Sequence, residues 1–205
     1  QPSTIRYKGL IYAVKNNYQY IIFSDIDDSF TSNRISLTMR GLEKYDFVFN
    51  EISLIDVKGN IIGENYLKKL SLDRNVESYN KIIDYNFLGL THTGINLNAF
   101  CDIFIPKNII AVDWWIYTLF LLNGSVGKFI ANATTFYRQF DANLVGMKKR
   151  LDEERLRLGI KVKQIHYQHA ITYCCKNNLK IAVEDYRLKK KEMDSLKSHL
   201  NNRFF

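Results

Sequence analysis

An apolar run, Tyr20-Ile21-Ile22-Phe23, passes through Ser24 into three carboxylates within four residues, Asp25, Asp27 and Asp28. Aromatic and β-branched residues at this density predict a buried strand. The carboxylates then stand at its carboxyl end, where open α/β sheets bind ligands. Side chains alternate along extended backbone, so Asp25 and Asp27 face one way and Asp28 another. Two converging carboxylates repel unless a hard cation lies between them. Mg²⁺ or Mn²⁺ held in this way usually also holds phosphate oxygens. The alternative is a solvated Asp-rich turn.

Upstream, Pro2-Ser3-Thr4 precedes Tyr7, Leu10, Ile11 and Val14 at helical spacing, so Ser3 or Thr4 is expected to cap a helix running to about Asn17. Helix, turn, strand and acidic strand end make the second half of a βαβ unit, and no strand precedes them. A chain opening on Gln1 in this way is expected to be a fragment. Downstream, Asp46 to Val57 predicts a strand, and Lys58-Gly59-Asn60 turns it into a hairpin with Ile61-Ile62. Asn65 to Leu70 and Asn75 to Tyr85 predict short helices, the second through Val76, Tyr79, Ile82 and Ile83. Gly89 to Gly94 reads as a polar loop carrying His92 and Thr93. Asp113 precedes an all-round apolar, hence buried, helix from Trp114 to Leu122, stopped by Asn123-Gly124. There Asp113 is either an N-cap or a rigidly placed general base. Arg138, after a loosely alternating Lys128 to Tyr137, suits either a diphosphate, as a bidentate donor, or a surface salt bridge.

Several of these residues carry a family resemblance. Pro2-Ser3, Arg6, Gly9-Leu10 and Ala13, then Tyr20 to Phe23, Asp25-x-Asp27-Asp28 and Asn33-Arg34-Ile35, resemble the middle of a family 2 glycosyltransferase of the GT-A fold. Val112-Asp113-Trp114-Trp115, Gly124, Tyr137-Arg138-Gln139, Asn143 and Gly146 resemble its distal half, with a departure at Phe140, where relatives often carry His. The resemblance spans roughly residues 2 to 146. It implies a Rossmann-like mixed sheet lacking its amino-terminal nucleotide-binding strands. It also implies transfer of a sugar from a nucleotide-diphosphate donor to a hydroxyl, with inversion, in cell-surface polysaccharide or glycolipid synthesis. On that reading Arg6, Asp25, Asp27, Asp28 and Arg138 bind the donor, Asp25 and Asp27 hold Mg²⁺ or Mn²⁺, and Asp113 is the base. His92, Thr93, Trp114, Tyr137 and Gln139 contact acceptor or phosphate, the acceptor being a saccharide or a lipid-linked precursor. The Gly89 to Gly94 loop serves equally as a purely structural loop. A rival resemblance, to phosphatases of the haloacid dehalogenase type, rests on Asp25-x-Asp27-x-Ser29 alone. A second rival is a catalytically silent binding or assembly module.

Charge divides the chain near Gly146. Residues 1–146 carry 14 basic and 14 acidic side chains, whereas 147–205 carry 15 and 7, so the tail holds the whole net charge of +8. With Leu151, Leu156, Leu158, Ile165, Ile171 and Leu179 at helical intervals, the tail predicts a basic helical hairpin appended to the α/β domain. Its expected partners are the core, another copy of the chain, or an anionic membrane surface rather than nucleic acid. Three cysteines, Cys101, Cys174 and Cys175, make no disulfide framework and suit a reducing cytoplasm, with peripheral contact at the inner face of the membrane. His166, His169 and the adjacent cysteines resemble a zinc box only superficially, because Cys174 falls off the histidine face.

Overall fold

The computed structural model of the chain describes residues 2–70, 74–99, 104–140 and 152–202. Helix α1 spans Pro2–Lys15. It ends where Asn17 takes a left-handed φ of 57°, and the Tyr18 N–H returns to the Ala13 carbonyl at 3.0 Å. Asn and Gly tolerate that closure, which satisfies terminal carbonyls and turns the chain into β1, Tyr20–Ile22.

β1 lies at one edge of a seven-stranded mixed sheet. The strand at its centre is β3 (Phe47–Ile55), which runs parallel to β7 (Gly127–Arg138). On its other side β3 pairs antiparallel with β6 (Thr93–Asn96), and β6 carries β1. β2 (Ser29–Phe30) closes the far edge on β7. β4 (Ile61–Gly63) returns on β3 as the expected hairpin, and β5 (Asn75–Val76) pairs with the start of β7. Alternation along β3 sends Val48 toward Gly41 of α2 (Arg34–Leu42). Phe47 faces the other way and meets Tyr117 and Phe120 of α4 (Val112–Leu122) at ring-centroid distances of 5.1 and 5.9 Å. Helices thus cover both faces, the arrangement of an α/β domain. Glu51, buried in β3, accepts the Leu67 and Lys68 N–H groups at 2.7 and 3.2 Å, so it anchors the exposed donors of α3, Tyr66–Lys69.

Phe47 stands where a Cβ on Gly127 would lie. Gly127→Ala is therefore expected to push that ring off Tyr117 and Phe120 and to destabilise the fold by about 1–3 kcal/mol, the usual range for overpacking. A denaturant midpoint equal to that of the parent would refute this.

Three expectations change. Asn75 to Tyr85 is no helix: Val76 pairs with Gly127, and Ser78 caps a single 3₁₀ turn at Tyr79–Lys81. Its apolar residues fill the core from loops, Ile82 and Ile83 among them, so helical spacing arose without a helix. Gly89 to Gly94, expected as a polar loop, is a buried 3₁₀ turn, Leu90–His92, leading into β6. Asp113 is not the residue before α4 but lies in its first turn, where Oδ1 accepts the Trp114 N–H at 2.8 Å.

The tail forms α5 (Glu153–Lys176) and α6 (Lys180–Asn202). They pack against each other, reversing through Asn178, whose φ is 58°. Asp152 caps α5 through the Arg155 N–H at 2.8 Å. Tyr167, Ala170, Cys174, Ala182, Val183 and Tyr186 join the same apolar core as Phe47 and Trp115, so the change in composition does not divide that core. His166 stacks on Trp114 at 4.0 Å, and its Nε2 lies 3.1 Å from the Thr118 hydroxyl. Lys189 pairs with Asp84 at 2.8 Å, fastening α6 to the loop after the 3₁₀ turn. No described helix is long and apolar enough to cross a membrane.

Candidate active site

The acidic run leaves the sheet at the end of β1 and turns at once, the Asp28 N–H bonding the Asp25 carbonyl at 3.1 Å. Its carboxylates take different surroundings. Asp27 is exposed, whereas Asp25 and Asp28 are half-buried. Asp25 faces Arg6 of α1, with Oδ1 and Nη2 3.4 Å apart. Both Asp28 oxygens are taken: Oδ2 accepts the Thr91 hydroxyl at 2.6 Å and Oδ1 accepts the Arg138 N–H at 2.9 Å. Burial pushes the Asp28 carboxyl above its ordinary range, against those two hydrogen bonds, while neighbouring Asp27 and Asp25 push it further up.

Arg138, at the end of β7, braces the acidic turn. Its Nε donates to the Asp27 carbonyl at 2.9 Å, and its Nη1 donates to the carbonyls of Asp56 and Val57 at 2.9 and 3.1 Å. Beneath the turn lies Arg34, fully buried at the start of α2. Its Nε donates to Asn50 Oδ1 at 3.1 Å and its Nη2 to the Phe23 carbonyl at 3.0 Å, while the guanidinium sits 4.8 Å from the Phe30 ring centroid. Burial lowers its pKa, and the nearby Asp28 carboxylate opposes that shift. A guanidinium keeps its charge even so, and it gives the acidic turn a fixed positive floor.

From the other side of the sequence, α4 brings Asp113 to the same place. Its carboxyl is enclosed although the residue keeps some surface. Burial raises its pKa most; the Trp114 N–H and Arg6 pull the other way, and Asp25 adds to the rise. Arg6 and Asp25 thus act on a carboxyl more than a hundred residues from the first of them. Tyr137, on β7, faces the same group: burial raises its pKa, and Asp28, Asp25, Asp27 and Asp113 all add to it. Gly89 lies against the site, since a Cβ there would meet His92 Cε1 at 3.1 Å and Asp113 Oδ2 at 3.9 Å.

The other expected contacts lie deeper. His92 is buried; its Nε2 bonds the Phe87 carbonyl at 3.0 Å, and Nδ1 has no hydrogen-bond partner among the described residues. Burial lowers its pKa to about 4, with Arg34 assisting. Thr93 accepts the Tyr117 hydroxyl and donates to the Leu90 carbonyl at 3.1 Å, so its side chain is spent inside the core. Trp114 is likewise committed, its indole N–H donating to the Ile82 carbonyl at 2.8 Å. The Gln139 N–H donates to the Ile55 carbonyl at 2.8 Å, and its Nε2 is buried without a hydrogen-bond partner among the described residues.

The structure therefore gathers Arg6, Asp25, Asp28, Asp113 and Tyr137, with Asp27 and Arg138 on the rim, and turns Thr93 and Trp114 inward. Sequence reasoning missed Thr91 and gave Arg34 no role. The described residues contain no group of three or more His, Cys, Asp or Glu side chains placed to hold a metal. Asp27 is exposed and Asp25 is half-buried beside Arg6, and carboxylate oxygens are the hard ligands that a cation such as Mg²⁺ takes. No protein-family model matches the chain, and no curated protein matches it.

Proposed function

We propose that the protein is a glycosyltransferase of the GT-A type, moving a sugar from a nucleotide-diphosphate donor to a hydroxyl of a saccharide or lipid-linked acceptor. The observation that carries the reading is the convergence of Asp113 with Arg6 and Asp25. It joins a shielded carboxyl of raised pKa to an outward acidic turn at a strand's carboxyl end. A carboxyl shifted upward by burial is a better proton acceptor than an ordinary one, because efficiency grows as its pKa approaches the working pH.

In the proposed reaction Asp25 and Asp27 would hold Mg²⁺ or Mn²⁺, and Arg6, which faces Asp25, would bind the donor's phosphates. The chemistry such a cation would supply there is neutralisation of the charge on the leaving diphosphate. The acceptor oxygen attacks the anomeric carbon as the bond from that carbon to the diphosphate oxygen breaks. Asp113 receives the acceptor's proton, and a single displacement inverts the anomeric centre. Tyr137, kept protonated by burial and by the carboxylates that act on it, is proposed as a neutral hydrogen-bond donor in the site. The phosphatase reading leaves Arg6, Asp113 and Tyr137 without a role. The basic tail is proposed as a contact for a membrane carrying the acceptor.

The test is metal-dependent nucleotide binding. The protein is expected to bind a nucleoside diphosphate only with Mg²⁺ or Mn²⁺ present, and Asp27→Asn is expected to lose that binding together with transfer. Transfer undiminished in excess chelator would sink the role of the cation. Failure of every common nucleoside diphosphate to bind with Mn²⁺ present would sink the transferase reading itself.

A further inference from the structure

Thr91 occupies an unusual place for a threonine in a short turn. Its hydroxyl accepts the Asp25 N–H at 3.3 Å and donates to Asp28 Oδ2 at 2.6 Å, bridging both ends of the acidic turn from a different strand connection. The residue is 6% exposed. The 3₁₀ turn carrying it is held by the His92 N–H, 3.4 Å from the Gly89 carbonyl, and by the buried His92 ring bonded to the Phe87 carbonyl. Asp28 is bolted a second time through the Arg138 N–H. Asp28 is thereby removed from the set of outward ligands, and its work is to fix the backbone that presents Asp25 and Asp27.

We propose that Thr91 is the positioning residue of the site: its hydroxyl, clamped between the Asp25 amide and the Asp28 carboxylate, holds the acidic turn in the one form that binds a divalent cation and phosphate. The proposal rests on the reading of Asp25 and Asp27 as the cation ligands. A metal site depends on such indirect supports because a carboxylate that wanders spends its binding energy on being ordered. Valine fills the volume of threonine but can neither accept from Asp25 nor donate to Asp28. Serine can do both.

The experiment measures Mn²⁺ affinity by electron paramagnetic resonance, using MnCl₂ alone and then with a nucleoside diphosphate, on the intact protein. Thr91→Val is expected to weaken Mn²⁺ binding by about 10- to 100-fold, the usual cost of losing a support behind metal ligands. Thr91→Ser is expected to stay within about threefold of the parent, since it keeps the support. Asp28→Asn serves as the second variant should Thr91→Val fail to fold. It keeps the size and the acceptor for the Arg138 N–H but offers the Thr91 hydroxyl an amide in place of a carboxylate oxygen, and it too is expected to lose affinity. Parent-like Mn²⁺ binding by either Thr91→Val or Asp28→Asn overturns the proposal while leaving the cation site standing. An equal loss in Thr91→Ser would also overturn it, assigning the effect to packing. If the parent binds Mn²⁺ no better than an Asp25→Ala, Asp27→Ala double variant, the cation reading itself fails and the positioning role falls with it.

Discussion

Asp113→Asn is expected to cut sugar transfer by about 10² or more while leaving the protein at least as stable at pH 7, the scale being that of a lost general base. The two halves have different causes. Asparagine keeps an oxygen able to accept the Trp114 N–H in the first turn of α4, so local geometry survives. It cannot take a proton from an acceptor hydroxyl. On stability, burial raises the Asp113 pKa above its ordinary value, so at neutral pH the folded state bears a cost for its charge that the unfolded state avoids. Arg6 and the amino-terminal end of the helix offset part of it. Removing the charge removes the cost. The expected pattern is a lost activity beside an equal or higher unfolding midpoint, measured by transfer assay and by denaturant titration at pH 7. A residue kept only for the fold would show the opposite: normal transfer and a lower midpoint.

That pattern bears on how much of the site was legible beforehand. The acidic run, the β3–β4 hairpin, α4 and the tail hairpin follow from local rules, alternation and helical periodicity, and each stands close to where those rules put it; β1 also stands in place, but half-buried at the sheet edge and not as the buried strand expected, because apolar composition does not tell an edge strand from a central one. Asn75 to Tyr85 failed because its apolar residues satisfy a helical spacing by accident. The pairing of Val76 with Gly127, more than fifty residues away, outweighs a weak local preference. The same nonlocality hid Thr91 and the work of Arg34. A threonine between Gly89 and Gly94 reads as loop, and only the fold brings Asp25 and Asp28 to its hydroxyl. Arg34 carried one available signal, a cation at the head of a helix immediately after an acidic run. Its burial under that run depends on β1, β2 and β3 all being in place. Glu51 is similar, since a carboxylate in a buried strand has meaning only once α3 lies over it. Outward chemistry was readable; the inward supports were not.

Two of those inward groups give the fold a pH dependence. His92 has its pKa lowered to about 4 and His166 to about 3, in both cases chiefly because burial penalises the imidazolium. Around His166 stand Trp114, Trp115 and Thr118 from α4, Tyr167 and His169 from α5, and Tyr186 from α6, with no carboxylate among the described residues in contact to welcome a proton. The unfolded chain takes up protons at these residues near their ordinary value of about 6.5, earlier than the folded chain does. Their contribution is thus complete above pH 6.5 and is lost as the pH falls through the window down to about 4 for His92 and about 3 for His166. At a cost of about 1.4 kcal/mol for each pH unit and each group, bringing the protein from pH 6.5 to 4 is expected to remove on the order of 3 kcal/mol through each histidine. Asp28 and Asp113 act in the other direction, since their raised pKa values make the folded state take up protons first as the pH falls. The histidine contribution is accordingly expected to lower the unfolding midpoint as the pH falls from 6.5 towards 4. His166→Phe keeps the stacking on Trp114 and removes one titrating group, so it is expected to recover roughly half of the acid loss. Circular dichroism melts from pH 7 to 4 decide the matter: a midpoint that stays level across that range in the parent, or a His166→Phe curve parallel to it, would show that the buried imidazoles do not set the acid limit of this fold.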